Sequence, residues 1–195
     1  FSSSHLNPAV TLGFFVLKMS KRNELVPYIT GQFAGAILAG LVLRSIFGGY
    51  VEAFDVHSAM MFGEFYPNPG NASLTELDTF SAFSLECLGT FALMFGILKI
   101  INLKFENGKI IYPLLIGLLL SILIYLIAPY TQAGFNPARD FGPRLVSYLS
   151  GWDMAFSYNN FGWLTVYVCG PILGAVMAAS FHKKSSLKKM MPVKG

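Results

Sequence analysis

Asn7-Pro8-Ala9-Val10 stands near the start of the chain, and Asn136-Pro137-Ala138-Arg139 stands in its last third. Each opens an apolar run, Pro8–Leu17 and Pro137–Leu149. Both runs are too short to cross a bilayer, since a crossing helix takes about 20 mostly apolar residues. Proline suits the first turn of a helix, where its missing N–H would be unpaired anyway. Each run therefore reads as a half-helix that begins at its Asn-Pro. In lipid, non-helical backbone is tolerated only where it is buried or lines a water-filled cavity. Two half-length helices in a membrane thus point to a cavity or pore.

The membrane setting follows from composition. The chain has 195 residues, 54% hydrophobic and only 12% charged, whereas soluble chains average about 45–50% apolar and about 25% charged. So little charge cannot cover a globular surface in water, and it excludes a disordered chain. The net charge of +4 is spread without a basic stripe interleaved with aromatics, so no nucleic-acid partner is expected. Four segments are long and apolar enough to span: Leu25–Phe47, Phe80–Ile101, Ile110–Ala128 and Phe161–Phe181. Cys87 and Cys169 fall within spans, where they read as small buried hydrophobes.

Lys and Arg set the orientation. Lys18, Lys21 and Arg22 precede the first span. Lys99, Lys104 and Lys109 join the second to the third, and Lys183, Lys184, Lys188, Lys189 and Lys194 follow the fourth. The loop from Gly48 to Thr79 has no Lys or Arg but holds Glu52, Asp55, Glu64, Glu76 and Asp78, and the loop from Gly151 to Asn160 holds only Asp153. The chain is expected to be an integral multi-pass protein of the cell membrane, with its C-terminus cytoplasmic. Asn71-Ala72-Ser73 in the acidic outer loop has the pattern of a glycosylation sequon at Asn71.

The duplicated Asn-Pro-Ala marks an internal repeat within one transmembrane domain covering 1–195. Residues 1–47 form the end of a first repeat, 80–181 a second repeat and 182–195 a basic cytoplasmic tail. The spans after each half-helix also match: Gly31-Gln32-Phe33-Ala34-Gly35-Ala36 against Gly170-Pro171-Ile172-Leu173-Gly174-Ala175. Small residues there would allow close helix packing. The full unit is span, span, half-helix, span. The first copy would lack its two opening spans, and Phe1-Ser2-Ser3-Ser4-His5 reads as the interior of a longer protein. Three spans per unit invert the second copy relative to the first and place the site near mid-membrane, between repeats.

Two half-helices entering from opposite sides would meet N-terminus to N-terminus, each carrying roughly half a positive charge. A cation there, hydronium included, is repelled, and a neutral solute is not. Asn7 and Asn136 can each offer two amide N–H groups to a passing oxygen. This suits a pore for small neutral polar molecules. Arg139 adds a second cation barrier and a fork of donors, or else pairs with Asp140. Glu86, inside the second span, either relays protons or accepts backbone N–H bonds and braces a re-entrant loop. His5 belongs to the pore wall or to packing. A channel or carrier for ions would need more intramembrane charge. An enzyme is not expected, because no nucleophile–base pair, metal cluster or phosphate loop appears and His57 and His182 sit in a loop and the tail. No cofactor or metal is called for. The basic tail suits anionic lipid, with Ser185 or Ser186 as a weak candidate switch.

Ser4-His5-Leu6-Asn7-Pro8-Ala9-Val10-Thr11 and Gly134-Phe135-Asn136-Pro137-Ala138-Arg139-Asp140-Phe141-Gly142-Pro143 resemble the two signature loops of the aquaporin family, the major intrinsic proteins. The resemblance covers essentially the whole chain. It implies an all-α membrane protein, an inverted-repeat helix bundle of six spans plus two half-helices, of which four spans and both half-helices lie here. It also implies one pore per subunit and a homotetramer in the lipid bilayer. Asp140 and Arg144 match the pattern of glycerol facilitators. The family's selectivity constriction maps onto Arg139, Ala133 and Ile124, with Gly134, Phe135, His5, Glu86 and Asp140 as pore wall or support. Ile124 stands where strict water channels typically carry His, so the resemblance implies a wider, more apolar wall for glycerol and water, with urea as a further candidate. Tyr167-Val168 before Gly170-Pro171, and Ala133 in place of an aromatic, depart from the glycerol pattern. A water-selective channel and a non-channel structural membrane protein are the alternatives.

Overall fold

The computed structural model describes residues 5–48 and 55–190, with side chains described through residue 185. Residues 1–4, Glu52 and Lys194 lie outside the described residues, as do the side chains of Ser186, Lys188 and Lys189. The described residues form helices and no strands. These are α1 (Pro8–Val16), α2 (Arg22–Phe47), the short α3 (Val56–Ala59), α4 (Thr79–Ile101), α5 (Gly108–Thr131), α6 (Pro137–Leu149), the three-residue α7 (Gly162–Leu164) and α8 (Gly170–Met190). Four helical stretches are long and apolar enough to cross a membrane: Arg22–Phe47, Thr79–Ile101, Gly108–Thr131 and Gly162–Ser185. They match the expected spans and run a few residues further. Apolarity marks only the lipid core, whereas the helices continue into polar ends such as Arg22 and Lys109.

The two half-helices start where the Asn-Pro steps place them. Asn7 has extended backbone (φ −154°), and its side-chain oxygen accepts the Ala9 N–H at 2.9 Å. Asn136 (φ −145°) accepts the N–H groups of Ala138 at 3.1 Å and Arg139 at 3.3 Å. Each amide oxygen thus satisfies donors that a helix start leaves without partners. At α4, Asp78 accepts from the Phe80 and Ser81 N–H groups and from the Ser81 hydroxyl. Those bonds from Ser81 hold the Asp78 carboxyl below its ordinary range, because they favour the charged form.

Packing is crosswise. α1, from the first half, lies on α8 from the second, while α6, from the second half, lies on α2 from the first. α4 packs along α8 and α5. α2 and α5 are largely exposed or half-buried, and they present apolar side chains outward, among them Leu38, Leu41, Leu114 and Leu118. α1 is buried on most sides, and its Val10 and Phe14 share a core with Leu93, Met94, Leu98 and Phe135.

Three local expectations are corrected. The close packing expected at the paired glycine motifs holds in α8, where a Cβ on Gly174 would meet the Cys87 carbonyl oxygen at 2.1 Å. In α2 it holds only at Ala36 of the motif, because Gly31 and Gly35 have nothing within 4 Å and line a cavity. The face of α2 that receives α6 is the next stripe round, through Ala36 and Gly40. Cys87 is buried, but Cys169 is exposed on the outer side of the helix. The fourth span is not uniformly α-helical, because a wider π turn covers Thr165–Cys169. It ends one residue before Gly170-Pro171, and Pro171 lacks an N–H and its ring would collide with the Tyr167 carbonyl in a regular helix.

Candidate functional site

The Asn residues that start α1 and α6 also hold the two half-helices to each other. Asn7 Nδ2 donates to the Phe135 carbonyl at 2.8 Å, and Asn136 Nδ2 donates to the Leu6 carbonyl at 2.8 Å. Leu6 (φ 54°) and Phe135 (φ 50°) are both left-handed, and each immediately precedes its Asn. That conformation is uncommon for non-glycine residues. Here it lets each carbonyl face the opposite Asn while the helix turns away. The clasp corrects the expectation of two free amide N–H groups per Asn. One is used across the junction, which leaves one on each Asn. The two helix N-termini are thereby fixed against each other, with their positive ends adjacent.

Glu86 reaches this junction from α4. It is fully buried. Its carboxylate accepts the Thr131 hydroxyl at 2.6 Å, the Gly134 N–H at 2.9 Å and the Phe135 N–H at 2.7 Å. Three donors converge on two oxygens and fix the loop that leads into α6. Phe135 is a core residue, 1% exposed, so its side chain supports the site from behind. A Cβ on Gly134 would meet the Tyr167 ring at 2.9 Å, so the loop passes too close to α8's lead-in for a side chain.

Asp140 and Arg144 form a buried pair one turn apart on α6. Arg144 Nη2 meets Asp140 Oδ1 at 2.7 Å and Nε meets Oδ2 at 3.1 Å, a bidentate geometry. Arg144 Nη1 also donates to the Ala155 carbonyl at 2.6 Å, and its guanidinium lies 4.4 Å over the Phe65 ring. The expected alternative partner of Arg139 is therefore taken. Arg139 pairs instead with Glu64, through Nη1 and Oε1. Arg139 is 49% exposed, whereas the Glu64 side chain is completely buried.

A cavity of about 630 Å³ lies between α2 and the start of α6, lined by His5, Tyr28, Gln32, Asn136, Ala138 and Arg139 among others. His5 stacks on Phe14 at 4.7 Å and lies 4.9 Å from the Tyr28 ring, with Nδ1 at 3.2 Å from the Thr11 hydroxyl. Gln32 Nε2 donates to the same hydroxyl at 2.9 Å. Asn7, Pro8, Ala9 and Pro137 are buried beside the cavity rather than on its wall. Ile124 is 40% exposed on α5 and Ala133 is buried, and neither lines this cavity. Asn71 is half-buried, and its Nδ2 donates to the Pro129 carbonyl at 2.9 Å.

Sequence reasoning missed Glu64 as a site residue and placed it among outer-loop acids. Its surroundings carried a signal. Met60-Met61-Phe62-Gly63-Glu64-Phe65-Tyr66 is an apolar run with one acid, which is how a buried, paired carboxylate reads.

The sequence pattern described as Major intrinsic protein matches residues 1–182. The Glycerol uptake facilitator protein of Escherichia coli (strain K12) is 32% identical over 200 residues, covering 94% of this chain and 68% of its own length. The Propanediol uptake facilitator PduF of Salmonella typhimurium is 32% identical over 197 residues, covering 93% and 72%. The X-ray structure of the aquaglyceroporin from Plasmodium falciparum superposes with a TM-score of 0.79 at 22% identity, covering 96% of this chain and 75% of that one. That likeness is one of fold.

Proposed function

The chain belongs to the major intrinsic protein family, and from that premise we propose that it is a membrane channel for passive diffusion of glycerol and other small neutral solutes, together with water. The observation that carries this reading is the reciprocal clasp. Asn7 and Asn136 hold two helix N-termini head to head beside a cavity, each with one amide N–H to spare. The adjoining positive helix ends disfavour hydronium and metal cations, while the spare N–H of Asn136, on the cavity wall, holds a hydroxyl or water oxygen. The relatives named as glycerol and propanediol facilitators support small polyols as the solute class. The family's members named here are channels and facilitators, so no catalytic step is assigned.

Selectivity rests on Arg139, Ile124 and Ala133. Arg139 presents N–H groups to the solute's hydroxyls, and the family's constriction pattern, rather than the cavity that Arg139 lines, assigns Ile124 the apolar wall for its carbon face. Pro8, Ala9, Pro137 and Ala138 shape the helix starts, and Glu86 and Asp140 act as supports. The basic loops and C-terminal tail support a cytoplasmic C-terminus for a protein of the cell membrane, and the family resemblance supports a homotetramer.

Stopped-flow light scattering on proteoliposomes of the full-length protein tests this. In a glycerol gradient the vesicles shrink and then re-swell rapidly, and Ile124→His slows the re-swelling more than it slows water flux. Fast water shrinkage without glycerol uptake would make the protein a water-selective channel, and neither flux would leave a structural membrane protein.

A further inference from the structure

A guanidinium beside two helix N-termini repels cations but draws anions. Each helix start brings roughly half a positive charge to the junction, and Arg139 adds a full one. Left unbalanced, a narrow site of this kind concentrates small anions. A carboxylate stands against that charge. Glu64 is completely buried and pairs with Arg139 Nη1. Neither of its oxygens has a hydrogen-bond partner among the described residues, so Arg139 is the group it faces. Its position is fixed through its own backbone. The Glu64 N–H donates to Asp140 Oδ1 at 2.7 Å, and its carbonyl accepts from Arg144 Nη2. Asp140 and Arg144 neutralise each other, so the clamp that holds Glu64 adds no net charge.

We propose that Glu64 is a specificity-determining residue. As the fixed counter-ion of Arg139 it balances the charge at the pore mouth and excludes small anions, while the N–H groups on the exposed half of Arg139 stay free for hydroxyls. This rests on the channel reading given above. Glu64 acts through Arg139 and needs no contact with the solute.

The test compares chloride and glycerol permeation in the same proteoliposomes. Chloride influx is read with an entrapped chloride-quenched dye, with potassium and valinomycin discharging the voltage, and glycerol by re-swelling. Wild type passes glycerol and leaves chloride at the rate of protein-free vesicles. Glu64→Gln raises the chloride-to-glycerol ratio about tenfold or more, since an unbalanced charge at close range shifts ion energies by several times RT. Glu64→Asp, which keeps the charge, stays near wild type. The double variant Glu64→Gln/Arg139→Gln returns chloride to background. Glycerol-conducting Glu64→Gln with background chloride would overturn the proposal, as would a Glu64→Asp variant that leaks as freely as Glu64→Gln. Should Glu64→Gln yield no conducting protein, Glu64→Asp decides: glycerol flux with background chloride in that variant shows that the charge beside Arg139 is what matters, as the proposal requires, and failure of that variant too makes Glu64 merely structural and overturns it. Wild type that passes no glycerol would instead sink the channel reading itself.

Discussion

Asn7 and Asn136 each cap a helix with the amide oxygen and clasp the opposite loop with the amide nitrogen. The oxygen's role is legible in the sequence, because Asn before Pro is a local signal. The nitrogen's role is not, because its partner carbonyl sits more than a hundred residues away. Glu86 is the same kind of case. A lone acid in a span announces a function, but only the fold shows three donors converging on it. Glu86→Gln keeps the shape yet turns one acceptor oxygen into a donor nitrogen that faces other donors. A hydrogen bond to a charged group contributes about 1.5–3 kcal/mol, so we expect stability to fall by about 2 kcal/mol and glycerol flux to fall with it. Thermal unfolding in detergent checks this, and an unchanged midpoint would show the brace to be dispensable. Glu64 escaped the sequence because loop acids are usually solvated. Its burial is set by the Asp140–Arg144 pair that grips its backbone.

Among the elements, the half-helices were the most legible. Their starts are fixed by Asn-Pro chemistry and their ends by a short apolar run, and the observed bounds agree to within a residue. Which glycines pack was less legible, because a helix has several stripes and the sequence does not say which one meets a neighbour. Gly174, Gly142 and Gly40 are contact points. A Cβ on Gly142 would meet Ala36 Cβ at 2.5 Å and the Ala36 backbone at 2.7 Å. Gly142→Ala and Gly174→Ala should therefore each cost about 1–3 kcal/mol through overpacking. Denaturation of the purified variants measures that loss, and wild-type stability in both would mean the helices part freely. The cap of α4 carries a pH signature. Because the folded Asp78 carboxyl titrates below its ordinary range, its contribution is fully present above that range and is lost as pH falls through the folded value. Amide exchange at Phe80 and Ser81, corrected for intrinsic rate, should rise on acidification in wild type and stay flat in Asp78→Asn. Parallel profiles would show that the carboxylate's charge does not matter to the cap.

At the scale of the molecule, the duplicated motif anticipated an inverted pair of half-helices meeting inside a bundle. The crosswise packing of α1 on α8 and α6 on α2 has that form. The sequence could not show how the two halves are joined. The joint consists of backbone carbonyls in left-handed conformation, and neither Leu6 nor Phe135 has a residue type that signals it. The adjoining positive helix ends disfavour cations, hydronium included, and flux of solute without protons is the direct consequence. The decisive measurement loads proteoliposomes with a pH-sensitive dye, imposes a pH gradient and adds glycerol, recording light scattering and fluorescence together. We predict rapid glycerol re-swelling while the pH gradient decays no faster than in protein-free vesicles. Collapse of the gradient in step with glycerol uptake would contradict the account.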